Sequence, residues 1–319
     1  MEGGKSQAVV VLFGPTASGK TSVLLRLFGG SNTSRAEIIS ADSMQVYRGM
    51  DIGTAKPSEQ EKEQLIHHLI DIRNPDEQFT AGDFVRLADE AITGIISRGA
   101  LPIVSGGTGF YLKNFIQGLP QAPPADTAVR AVLKHELRER GSAALMEELA
   151  RIDLVSAEKI HLNDEYRLLR ALEVHRLCGR PLSSFTTDGP DRSRYRFLII
   201  GLLRPREELY RRINARCAAM FTHGLPDEVR ALYEAGYTPA DPGLRAIGYR
   251  EFFIEDEPGI FRLSEDLAGV EALVAQNSRR YAKRQITFFN SLPGAQTLMA
   301  GMDDEETALR LMAELDGFL

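Results

Sequence analysis

Long apolar runs are missing from this sequence. No stretch approaches the roughly 20 residues that span a bilayer, and the first apolar segment, Val9 to Phe13, has only the length of a buried strand. Cysteine is nearly missing as well. Cys178 and Cys217 stand far apart, with no C-x-x-C, which argues against a disulfide framework or a zinc site and predicts two ordinary thiols in a reduced cytosol. His67, His68, His135, His161, His175 and His223 show no metal-ligand spacing and read as structural or surface residues. There is no internal repeat and no low-complexity segment, and the opening "MEGGKSQ" has no signal-peptide character. An excess of positive charge is lacking too: the formal net charge is −6, which at face value speaks against nucleic acid.

Where the cations sit matters more than their sum. "RPREELYRRINAR" (204–216) holds five arginines against two glutamates, and "RRYAKR" (279–284) holds four cations and no acid. Such clusters are commonly solvated helix faces, and alone they decide nothing.

What is present is the composition of a globular protein, 43% hydrophobic and 26% charged over 319 residues, enough for one large domain or two ordinary ones. Apolar Val9–Phe13 leads into "GPTASGKT" and then "KTSVLLRLF", the strand–loop–helix context that a phosphate-cradling loop requires. A second strand, "EIISADS" (37–43), puts Asp42 at its C-terminal end, and "HHLIDI" reads as a third. Thr80 opens a helix through a T-x-x-D cap to Asp83, and Gly99 closes it. "LPIVSGGTGFY" is a fourth strand running into a glycine turn with Thr108 at the next helix start, and "RFLIIGLL" (196–203) is a fifth. Strands alternating with helices predict an α/β fold, a doubly wound parallel sheet of the P-loop NTPase-like kind. The proline-rich "LPQAPPAD" (119–126) and the turn-rich "PLSSFTTDGPDRSR" bracket helix after helix, so an all-helical insertion is expected at 122–190, between core segments 1–121 and 191–319. After residue 203 the chain reads as mainly helical, with breaks near "HGLPD", "TPADPG" and "EDEPG".

Ligands of open α/β sheets bind outside the carboxyl ends of the strands. Three such ends carry useful chemistry. The first is Gly14, Pro15, Thr16, Ala17, Ser18, Gly19, Lys20 and Thr21, whose amides, Lys20 ammonium and Thr21 hydroxyl suit a phosphate and its Mg²⁺. The second is Asp42, a metal ligand, a base or a mere cap of its turn. The third is Thr108, active or only a helix cap.

The words around these residues decide further. "GPTASGKT", "ADSMQVYRGMDIGTAKP", "VSGGTGFYL", "RALEVHRLCGRPL", "RAIGYRE" and "AKRQITFF" together resemble the bacterial tRNA dimethylallyltransferases, in that family's order, from about residue 10 to 290. The resemblance implies transfer of the dimethylallyl group of dimethylallyl diphosphate to N6 of the adenine 3′-adjacent to the anticodon, with release of pyrophosphate and a need for Mg²⁺. The loop would then cradle an isoprenoid diphosphate and require no ATP. By that resemblance Asp42 is the base, Thr108 serves the diphosphate or metal, Thr21 ligates Mg²⁺, and Arg212 or Arg216, with Arg216 favoured, completes the clamp. The resemblance also implies tRNA contacts, with the anticodon stem-loop as partner. They fall on Asp42, Ser43, Met44, Gln45 and Thr108, on Arg130, and on Tyr166, Arg167, Leu168, Leu169 and Arg170. Further contacts are expected at Arg245, Ala246, Ile247, Gly248, Tyr249 and Arg250, and at Lys283, Arg284 and Gln285. Tyr166 departs from the family's words, where a glutamine is expected. The two scattered cysteines do not supply the zinc finger of eukaryotic members.

Three other readings compete: a small-molecule P-loop kinase, an adenylate isopentenyltransferase acting on free AMP, and a non-catalytic RNA-binding P-loop protein, against which intact Lys20, Thr21 and Asp42 speak. The kinase needs an arginine-rich lid that the sequence does not display; the second needs no helical insertion. A cytoplasmic monomer that binds no membrane is the expectation.

Overall fold

The computed structural model describes residues 6–30, 36–119, 121–185, 192–301 and 303–319. Its elements run β1 (Gln7–Phe13), α1 (Lys20–Phe28), β2 (Ala36–Ala41), α2 (Glu59–Gln64), β3 (His67–His68), α3 (Ala81–Ser97), β4 (Leu101–Gly106) and α4 (Gly109–Gln117). They continue with α5 (Thr127–Ile152), α6 (Leu154–Lys159), α7 (Glu165–Cys178), β5 (Tyr195–Leu203), α8 (Arg206–Thr222) and α9 (Leu225–Glu234). The last are β6 (Phe253–Glu257), β7 (Ile260–Leu263), α10 (Leu267–Phe289), β8 (Gln296–Met299) and α11 (Asp304–Phe318).

Six strands form one sheet in the order β3-β2-β4-β1-β5-β8, with every pairing parallel. Strands β1 and β2 are buried along nearly their whole length, as strands covered on both faces must be, and this is why they read as unbroken apolar runs. On one face Val10, Leu12, Ile38, Ile103 and Ile200 meet Val23, Leu24 and Leu27 of α1 and Ala308, Leu311 and Leu315 of α11. Each such side chain contributes about 1.5–3 kcal/mol on burial.

The chain folds as two compact units, residues 1–116 with 193–319, and residues 117–192. The second is all helical among its described residues. Asp126 caps α5 by accepting from the Ala128 and Val129 amides, and Gly141 at φ 78° breaks that long helix in two. Leu133, Leu145 and Leu149 then fold onto Leu168 and Leu172 of α7 as a core of their own. The expected closing turn of this stretch falls partly on residues 186–191, and its opening word includes Pro120; these lie outside the described residues.

Three expectations are corrected. "HHLIDI" forms a strand only at His67–His68, because Leu69 (φ 64°) and Asp71 (φ 56°) turn into left-handed conformations that no strand can hold. The "EDEPG" break is the tip of an antiparallel hairpin, β6–β7, whose strands are largely exposed and charged and so show no apolar alternation. Finally, β8 adds a parallel edge to the sheet, pairing Leu202 with Leu298, where a helical region was expected.

Candidate functional site

Because β2, β4 and β1 are neighbours, the turns that leave their carboxyl ends lie side by side. They bound a cavity of about 560 Å³ lined by Thr16–Thr21, Asp42, Gln45, Gly107, Arg212, Arg216, Tyr281 and Gln285. All belong to the sheet-bearing unit.

The glycine loop is held from several sides. Lys20 Nζ donates back to the carbonyls of Gly14 (2.9 Å) and Pro15 (3.2 Å). Arg212 Nε donates to the Ala17 carbonyl (3.0 Å), and an Arg216 terminal nitrogen donates to Thr16 Oγ1. Ala17 sits at φ 64°, a left-handed conformation that costs a non-glycine residue about 1–2 kcal/mol. Surrounding bonds keep it there.

Gln285 of α10 is buried, and it joins two of the turns: its Oε1 accepts from the Thr16 amide (3.0 Å) and its Nε2 donates to the Gly107 carbonyl (2.8 Å). A Cβ on Gly107 would stand 2.3 Å from that Nε2, so any other residue there would push the Gln285 amide off its bonds. Tyr281, one helical turn earlier, bonds to Thr108 and Gln285; burial pushes its phenol up to about 12, helped by Asp42.

Asp42 follows β2 directly. Its Oδ1 accepts from the amides of Met44 (2.9 Å) and Gln45 (3.4 Å), so the carboxylate does cap its turn while also facing the cavity. Both uses coexist. Thr108 Oγ1 accepts from the Ser43 amide (3.0 Å), tying the β2 and β4 turns together.

Two cations face this space. Burial lowers Lys20 to about 8; Asp42 works against that shift and Arg216 adds to it. Burial likewise lowers Arg216, and its Nε is buried with no hydrogen-bond partner among the described residues. A buried guanidinium nitrogen without a partner is costly and calls for an acceptor. Arg212 has already spent its Nε on the loop. Thr21 is exposed at the first turn of α1 and lines the same cavity. No group of three His, Cys, Asp or Glu able to cage a metal occurs among the described residues. A Thr21 hydroxyl and an Asp42 carboxylate nonetheless fit Mg²⁺, which keeps its waters and binds through few protein oxygens plus substrate phosphates.

The residues expected to touch RNA divide sharply. Tyr166, Arg167, Arg245, Arg250, Lys283 and Arg284 are exposed. Lys283 and Arg284 share a shallow basic hollow on α10 with Arg280, Thr287 and Phe288. Leu168 and Leu169 instead belong to the helical core, and Ala246, Gly248, Tyr249 and Gln285 are buried. Their side chains are packed within their own unit, with Gln285 also lining the cavity. Tyr249 donates to Glu228 (2.6 Å), whose carboxylate also accepts from the amides of Asp51, Ile52 and Gly53. Arg130 and Arg170 both pair with the fully buried Glu173, and Arg130 lies over the Tyr166 ring. Gln45 spends its amide on Ser40 and on the Thr54 and Ala55 carbonyls. Ser43, Met44 and Ile247 are half-buried.

Sequence reasoning missed Tyr281, the bracing role of Gln285, and Arg204. The first two had a faint signal: Ser278, Ala282, Gln285 and Phe289 form the buried stripe of α10, and a glutamine in such a stripe needs partners.

The family model described as "IPPT: IPP transferase" matches residues 45–292. "tRNA dimethylallyltransferase 1" of Pelobacter propionicus is 45% identical over 294 residues, covering 92% of this chain and 93% of its own. "tRNA dimethylallyltransferase" of Geobacter sulfurreducens is 44% identical over 297 residues, covering 92% of each. Among solved structures, tRNA delta(2)-isopentenylpyrophosphate transferase of Staphylococcus epidermidis matches with TM-score 0.67 at 36% identity, over 98% of this chain and 99% of that one. A eukaryotic dimethylallyltransferase described as acting on tRNA matches with TM-score 0.72 at 26% identity, over 98% of this chain and 73% of that one. With the family model spanning most of the sheet-bearing unit and all of the helical one, the chain belongs to the IPP transferase family.

Proposed function

We propose that this chain transfers the dimethylallyl group of dimethylallyl diphosphate to N6 of the adenine 3′-adjacent to the anticodon in tRNA. The observation that carries the reading is the cavity that half-buried Lys20 and Arg216, both at the glycine loop, line together with the carboxylate of Asp42. Two cations at the loop, one of them the Arg216 whose Nε has no partner among the described residues, suit the diphosphate, and the carboxylate suits the amino group that attacks.

The reaction breaks the bond between the allylic carbon and its bridging oxygen and forms one from that carbon to N6. The N6 proton passes to Asp42, and pyrophosphate leaves with the bonding electrons. A purine amino group is a poor nucleophile, so a carboxylate that accepts its proton contributes roughly 10²–10⁴-fold in rate. Lys20, Arg216 and the loop amides stabilise charge as it grows on the leaving oxygens, and Thr108 and Tyr281 hold the turn beside it. Thr21, with Asp42 nearby, would hold Mg²⁺, which when bound supplies further positive charge to the diphosphate.

The adenine must leave its stack to reach this space. Exposed Lys283, Arg284, Arg245 and Arg250, with Tyr166 and Arg167 on the helical unit, offer phosphate contacts and stacking for an anticodon stem-loop. Among the described residues no helix is long and apolar enough to cross a membrane. A cytoplasmic monomer is the simplest state for an enzyme with this substrate. The test is an assay free of ATP, with Mg²⁺, dimethylallyl diphosphate, and tRNA, a minimal stem-loop or AMP offered side by side. Prenylation of the two RNAs and not of AMP is expected; a strict need for ATP would overturn the reading.

A further inference from the structure

We infer that Arg204, held in place by Asp304, is a positioning residue that aims the Ser18–Gly19 peptide at the diphosphate. This rests on the diphosphate reading above. Arg204 directly follows β5 and its side chain is 1% exposed. Its Nε donates to the Ser18 carbonyl (2.8 Å), one terminal nitrogen to Glu208 (2.8 Å) and the other to Asp304 Oδ1 (3.0 Å). Two carboxylates neutralise it, so it adds little attraction to the cavity. Its contribution is direction.

In a trans peptide the carbonyl and the following N–H point opposite ways. The chain has no cis bonds among its described residues. Drawing the Ser18 oxygen toward Arg204 therefore turns the Gly19 N–H to the other side, and Gly19 lines the cavity. Gly19 takes φ 97°, and a Cβ there would lie 3.1 Å from an Arg204 nitrogen and 3.4 Å from Asp304 Oδ1. The ion pair is thus packed directly against the loop backbone. Asp304 opens α11, outside residues 45–292 that the family model matches, so a segment the match does not reach supports the site.

The experiment titrates inorganic pyrophosphate with Mg²⁺ into the wild-type chain, Asp304→Asn, Asp304→Glu and Arg204→Lys, and measures tRNA affinity and steady-state kinetics on each. Asp304→Asn should weaken pyrophosphate and raise KM for dimethylallyl diphosphate about three- to tenfold, up to roughly the tenfold that one misdirected contact is worth. Its kcat should fall in step, because the aimed amide serves the leaving oxygens as their charge grows, while tRNA affinity stays within twofold and Asp304→Glu restores most of the loss. Arg204→Lys keeps the charge but loses the fork, and should lose pyrophosphate affinity at least as strongly. Pyrophosphate affinity unchanged in both folded variants, or tRNA affinity lost in equal measure, overturns the inference. A folded wild-type chain that binds no pyrophosphate overturns the diphosphate reading itself.

Discussion

The Gly14–Thr21 loop and the Gly243–Arg250 turn each hold two glycines, with one cation in the loop and two in the turn, yet their polar groups are used differently. In the loop, bonds from Arg212 and Gln285 hold the backbone from outside and Arg216 holds the Thr16 hydroxyl. Lys20 and Arg216 line a cavity, and the Arg216 Nε is buried with no hydrogen-bond partner among the described residues. In the turn, Tyr249 is consumed by Glu228 and the Gly248 amide by Glu251, while Arg245 bonds the carbonyls of Pro239 and Ala240 and stays exposed. A recurring word in a sequence therefore marks a constrained place. Whether it is a binding place depends on which polar groups the fold leaves unsatisfied.

The largest effect that would break this contrast is at Asp42. Asp42→Ala should lower kcat by roughly 10²–10⁴-fold with tRNA affinity nearly intact. A kcat within threefold of wild type would remove Asp42 from the chemistry and leave it a turn cap. Next comes charge reversal of Lys283 and Arg284 on the exposed face of α10. Each lost phosphate contact should flatten the slope of log affinity against log salt by about one, weakening tRNA binding at low salt while kcat on saturating RNA holds. An unchanged slope would make that face mere solvated surface.

On the turn's side of the comparison, Tyr249→Phe should cost stability and not binding. Removing the hydroxyl takes one donor from a carboxylate that still holds three amides, about 1–2 kcal/mol. Chemical denaturation would read that loss, and a tRNA affinity per folded molecule that fell with it would return Tyr249 to the RNA surface.

The smallest effect concerns Lys20. Its folded value is lowered to about 8 from 10.5, so the native chain holds that proton less firmly than the unfolded chain does. Stability then rises with pH between about 8 and 10.5, and below 8 the charged lysine is a fixed cost to the fold. Lys20→Met should accordingly raise Tm at pH 7, by an amount that shrinks as pH climbs from 8 toward 10.5. A Tm difference flat across that range would mean that the lysine is not strained by burial.

How much of this was legible follows from what each element buries. β1, β2, β4 and β5 declare themselves as apolar runs, β1 and β4 leading into glycine turns, and Thr80 with Asp83 announces α3. β8 could not be read, since four residues on an exposed sheet edge carry no pattern, and its identity as a strand comes from pairing with β5. Lys20, Thr21 and Asp42 were legible as cavity residues because each follows a strand within a recognisable word, whereas Thr108 ties two turns together beside the cavity. Arg204 and Asp304 were not, because nothing local in "LRPRE" or "DDEET" says that the two will meet. Tyr249 and Gln285 were visible as words, but a word does not say which way a side chain turns.

The sheet order has a consequence for synthesis. β1 finds one neighbour only when Val10 meets Leu198, and the last strand joins when Leu202 meets Leu298. A ribosome adding about 5–20 residues per second would hold the glycine loop in the open for many seconds before α8 and α10 exist to brace it. Pairings this distant along the chain also fold slowly. A nascent or prematurely terminated chain would thus carry the phosphate-loop sequence without the arginines and glutamine that shape it, and could not seize diphosphates before it is nearly finished.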